Sequence, residues 1–139
     1  MKSHTTNYIN TFIVVAEDCP AVAGEVPALK RDGTKSIANA QFEMLRESPY
    51  RFTSDDVLFK VYAVRNGVKE ADLEQARSAF FSKGQACLRS SPLPKRYGWG
   101  IHHNEEGKVA LYGMETDEYR QFVEQPGLKV VNAMRSKRS

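Results

Sequence analysis

The strongest constraint on how this chain folds is a pair of apolar runs joined by a four-residue turn. Lys95–His103 and Lys108–Gly113 flank Asn104-Glu105-Glu106-Gly107, a pattern that reads as two strands of an antiparallel hairpin. Two further runs read as strands. Asn10–Ala16 is short, apolar and rich in β-branched residues, and Glu17-Asp18-Cys19-Pro20 breaks it. Val57–Arg65 alternates, with Val57, Phe59, Val61 and Ala63 on one face and Leu58, Lys60, Tyr62 and Val64 on the other.

Helices fall between these runs. Ser36 is an N-cap for a helix to about Glu47 that places Ile37, Ala40, Met44 and Leu45 on one face, and Ser48-Pro49 ends it. A second helix spans about Glu70 to Lys83 and carries Leu73, Ala76 and Phe80 inward, with Gly84 where a C-cap is wanted. Thr116 caps a short helix to about Glu124, ended by Pro126-Gly127. Pro20–Lys35 is an irregular connection with an Asp32-Gly33 turn, and the prolines of Gln85–Pro94 argue for a loop. Leu128–Met134 fits a short helix or a strand equally. The expected fold is α+β: one domain over residues 1–139, with 135–139 as a flexible basic tail. Its sheet has roughly four strands, mixed or antiparallel, with a C-terminal hairpin and helices packed on one face.

Composition narrows the functional classes. At 139 residues with 41% apolar content, the chain can bury a core of its own. No apolar run approaches the roughly 20 residues that span a bilayer, and the N-terminus has no secretory apolar segment. Cys19 and Cys87 are too few for a disulfide framework or a zinc site. These features predict a cytoplasmic protein with reduced thiols, no membrane partner and no cofactor.

Charge is the more informative property. Gln75–Asn104 holds five bases and no acid, and Gln125–Ser139 holds four bases and no acid, although the net charge is only +3. Such segregation builds an anion-binding patch if the two stretches meet in the fold. Lys95-Arg96-Tyr97-Gly98-Trp99 adds two aromatics two residues apart behind two bases. A stacking platform for single-stranded nucleic acid needs that arrangement, although a strand of this pattern equally fills a core. Arg89, Ser90 and Ser91 next to Lys95 and Arg96 combine hydroxyls, loop amides and cations. No glycine-rich nucleotide loop is present.

His102 and His103 are adjacent on a strand, so they face opposite ways and cannot chelate one metal together. A nucleophilic pair of Cys87 with His103 is the alternative chemistry. Against it, Cys87 follows a helix C-terminus, where the dipole disfavours a thiolate.

The phrases TTNYINTFIVVAEDCP, SPYRFTSDDVLFKVYAVRN, FFSKGQACLRSSPLPKRYGWGIHHNEEGKVALYG and AMRSKR resemble an uncharacterised family of short bacterial proteins, a domain of unknown function. The resemblance implies a self-contained soluble domain and transfers no activity, substrate or catalytic residue. Because AMRSKR is part of it, the resemblance implies a docked or used basic end as the alternative to a flexible tail.

Two readings follow. The first is a non-enzymatic binding module for nucleic acid or another anionic ligand, built from Arg89, Ser90, Ser91, Lys95, Arg96, Tyr97, Trp99, Arg135, Lys137 and Arg138. The second is a small enzyme with Cys87, His102 and His103 beside the hairpin. A homodimer pairing through a sheet edge is a third arrangement open to this chain.

Overall fold

The structure is a computed structural model that describes residues 4–136. Its framework is one four-stranded sheet of order β3-β2-β1-β4. The strands are β1 (Thr11–Val14), β2 (Trp99–His103), β3 (Val109–Gly113) and β4 (Lys129–Asn132). β2 pairs antiparallel with β1 and β3, whereas β4 runs parallel to β1 with Phe12 opposite Val130. The hairpin expected from Asn104–Gly107 is therefore β2–β3, although its first strand starts at Trp99 and not at Lys95, which lies in a helix, and within Leu128–Met134 the strand is Lys129–Asn132. Gly107 takes φ +80 in its turn, the left-handed region in which glycine meets no Cβ penalty.

Five helices accompany the sheet: α1 (Ile37–Glu47), α2 (Ser54–Arg65), α3 (Leu73–Phe80), α4 (Pro92–Arg96) and α5 (Asp117–Glu124). The fold is α+β. Ile13, Trp99, Ile101, Val109 and Leu111 of the sheet join Ala38 and Leu45 of α1, Val57 of α2 and Leu93 of α4 in the main core. The helices are not all on one face as expected, because the opposite face carries Phe12, His102 and Tyr112, which pack against Tyr119 and Phe122 of α5.

Four further expectations are corrected. Val57–Arg65 is helix, begun by a capping box in which Thr53 accepts from the Asp56 amide while Asp56 accepts from that of Thr53. Its alternation comes from two stripes at i, i+4 spacing. Val57 enters the main core and Val61 is buried, whereas Phe59 and Ala63 join Phe81 in a second cluster with α3. On α1 the buried positions are Ala38, Asn39, Gln41 and Leu45. Ile37 is exposed there, because α4 claims the side occupied by polar Gln41.

Residues 85–94 do not form an irregular loop throughout. Leu88–Ser90 makes a short 3-10 turn, and Ser91 caps α4 with Pro92 at its first position, where a missing amide costs nothing. The helix expected over Glu70–Lys83 ends at Phe80, with the Phe81 amide bonded to the Arg77 carbonyl, so Gly84 is not its cap.

Candidate functional site

Four segments far apart in sequence converge on one concave surface of about 370 Å³. Its cations are Lys30, Arg65, Lys95 and Arg96, its hydroxyls belong to Ser36 and Ser90, Ile37, Ala38, Pro92 and Tyr97 complete the wall, and no carboxylate lines it. Each segment is held there by identifiable bonds. The Lys30 turn closes through Lys30 N–H to Thr34 O and Gly33 N–H to Lys30 O. Asn39 of α1 donates to Pro27 O at 2.6 Å, which anchors that connection to the helix. Arg65 is the last residue of α2, where the helix dipole favours a cation. Lys95 and Arg96 end α4, which the buried Ser91–Gln41 hydrogen bond joins to α1.

The electrostatics of this surface have one sign. Lys35–Glu43, Arg77–Asp56, Lys108–Glu106 and Arg120–Asp117 form ion pairs, and among the described residues none of the four cavity cations is spent on a carboxylate. The first turn of α1 adds to the field. Ser36 accepts from the Asn39 amide, while Ile37 and Ala38, which line the cavity, occupy the first two helical positions, whose amides have no intrahelical acceptor. A helix start, two hydroxyls and four cations around one recess give it a positive field that suits an anion by general electrostatics.

The structure gathers only part of the patch anticipated from sequence. Ser90, Lys95, Arg96 and Tyr97 line the cavity. Ser91 is buried and structural: its hydroxyl donates to Gln41 and accepts from the Leu93 amide. Arg89 points elsewhere, with Nε donating to Asn132 O at 2.7 Å and its carbonyl accepting from the Met134 amide, so it ties β4's end to the 3-10 turn. Arg135 is exposed and stands outside the cavity lining. Lys137 and Arg138 lie outside the described residues. Trp99 is only 7% exposed, donates to Glu25 O at 2.8 Å and meets the Phe42 ring at a tilt, 5.4 Å away, which makes it a core residue instead of a stacking platform.

Lys30 and Arg65 escaped the sequence reading. The capping box Thr53-Ser54-Asp55-Asp56 could have identified α2 and placed Arg65 at its end. Nothing local signals Lys30.

The second cluster of expected residues has different geometry. Cys87 Sγ lies 3.3 Å from the Tyr8 hydroxyl, and the Tyr8 ring meets His103 edge-on at 5.5 Å, so Tyr8 bridges the two. His103 is fully buried; its Nδ1 lies 3.3 Å from Ile101 O and its Nε2 has no hydrogen-bond partner among the described residues. Burial, the dominant cause, pushes its pKa down to about 4, so it is a neutral imidazole without a hydrogen bond to the thiol. His102, on the other sheet face, has Nδ1 2.8 Å from the Tyr50 hydroxyl, which is itself 2.7 Å from that of Tyr112. Burial lowers the His102 pKa and, with the Tyr112 hydrogen bond second, raises that of Tyr50 well above the ordinary phenol range. His102 also stacks on Phe122 at 4.1 Å. Among the described residues no group of three or more His, Cys, Asp or Glu is placed to hold a metal.

A model of a family of unknown function, DUF6157, matches residues 3–139. The chain belongs to that family. No curated protein matches it, and no solved structure does. Family membership thus spans the cavity and every residue that lines it, and it assigns no activity to them. No helix among the described residues is long and apolar enough to cross a membrane.

Proposed function

We propose that this protein is a cytosolic, non-enzymatic binding module whose ligand is a small anion held in the recess of Lys30, Arg65, Ser90, Lys95 and Arg96. The single observation that carries this reading is the one-signed lining: four cations meet in about 370 Å³ with no carboxylate among the lining residues. Holding four like charges together opposes folding through mutual repulsion, and a bound anion reverses that sign. Between the anionic ligands considered, a compact phosphate-bearing molecule suits the site better than a nucleic acid. Trp99 is in the core, so the stacking surface that sequence-tolerant single-strand binding uses is not built here.

Isothermal titration with inorganic pyrophosphate, at low and moderate salt, tests the reading. Binding is expected to weaken as salt rises and to be lost in the double variant Lys95→Glu/Arg96→Glu. Salt-independent binding, unchanged binding by that variant, or no binding at all would contradict it.

A further inference from the structure

The recess does not end at its cations. A groove of about 510 Å³ runs between α1 and α2, and Ser36 and Arg65 line both the recess and the groove. The two spaces therefore adjoin. Their linings differ in kind. Charges of both signs stand around the groove, with Glu43 already paired to Lys35 at 2.7 Å, whereas the recess holds cations alone. Apolar side chains of Ala40, Met44, Val61 and Val64 line the groove between those charges. Val64, next to last in α2, is 73% exposed, so apolar surface at the groove stands open to water.

We propose that the anion carries an apolar extension, so that the ligand is a soluble alkyl phosphate with its phosphate in the recess and its chain in the α1–α2 groove. This inference rests on the anion-binding reading above. Charge complementarity fixes the polarity of the ligand: the phosphate belongs where no carboxylate opposes it, and the chain belongs beside Met44 and Val64. Length fits as well. Met44 lies eight residues beyond Ser36 on α1, about 12 Å along the helix axis, the reach of a medium alkyl chain. A chain lying against protein side chains is withdrawn from a bilayer, which favours a free amphiphile over a lipid headgroup at a membrane surface.

The test is a calorimetric series of inorganic, methyl, butyl and octyl phosphate, each below its micelle concentration. Full burial of a methylene gives about fourfold in affinity, so an open groove should give about twofold per methylene, on the order of a hundredfold from methyl to octyl phosphate. Val64→Asn, a neutral change at an exposed position, is expected to remove much of the octyl gain and to leave inorganic phosphate binding as in the wild type. Equal affinities for methyl and octyl phosphate, with inorganic phosphate still bound, would overturn the inference and leave the recess intact. Failure of every phosphate to bind would remove both. Recruitment to equimolar phosphatidylcholine and phosphatidic acid vesicles together with a flat soluble series would place the apolar contact in the bilayer and overturn the inference.

Discussion

The hydroxyl of Ser91 donates to the side-chain oxygen of Gln41, and both residues are buried, at 4% and 2% exposure. This bond joins the start of α4 to the middle of α1. It thereby sets the two bases at the end of α4 beside the first turn of α1, which is the arrangement the proposed anion site depends on. Ser91→Ala removes a helix cap and leaves a buried amide oxygen without its donor. The expected loss is about 1–3 kcal/mol, read as a lower urea midpoint with an unchanged slope. A variant as stable as the wild type would show that the bond contributes nothing.

Gly98 links α4 to β2 at φ +78, and a Cβ there would overlap the Ala23 carbonyl. The left-handed backbone strains any other residue, and the obstacle is main chain that cannot rotate aside. Gly98→Ala should cost on the order of 3 kcal/mol or more, visible as a large drop in melting temperature. A drop within the error of the measurement would contradict this.

His103 makes stability depend on pH. Its folded pKa is depressed to about 4 from 6.5, first by burial, so the unfolded chain binds the proton more readily. The contribution is fully present above about pH 6.5 and is lost as pH falls toward 4, amounting to about 3 kcal/mol across the window. His102 shifts in the same direction and adds to the trend. Urea unfolding of wild type and His103→Leu at pH 7 and 4.5 checks it: the variant should show the shallower decline. Equal declines would mean that His103 protonates in the folded state without cost.

Trp99 should emit as a buried indole. Its ring lies under Gly24 and its Nε1–H is bound to Glu25 O. Emission is expected to be blue-shifted and unchanged by single-stranded oligonucleotides. Salt-sensitive quenching would put the indole at a nucleic-acid surface after all.

Legibility from sequence followed the locality of each signal. The Ser36 and Thr116 caps, the turn of the β2–β3 hairpin and β1 are written in short stretches and stand where those stretches put them, whereas β2 begins at Trp99 because Lys95 and Arg96 finish α4. α2 was obscured because it buries two sides at once: Val57 and Val61 on one, Phe59 and Ala63 on another, which imitates the period of a strand. Pro92 and Pro94 read as loop markers, although the first turn of a helix is where proline is tolerated. The candidate site was half visible. Ser90, Lys95, Arg96 and Tyr97 sit in a basic stretch that composition reveals, whereas Lys30 and Arg65 reach the recess only through the packing of α1 against α2 and the connection before it.

Arg65 therefore offers the most direct measurement of the central claim. It lies 31 positions before Arg96 in the sequence, and only the fold brings it to the recess. Reversing one charge there should weaken pyrophosphate binding by about tenfold or more, a cost of about 1.4 kcal/mol or above. Titration of Arg65→Glu, with a cooperative melt as the control for folding, is predicted to show that loss in a folded protein. Affinity equal to the wild type in a folded Arg65→Glu protein would contradict the account.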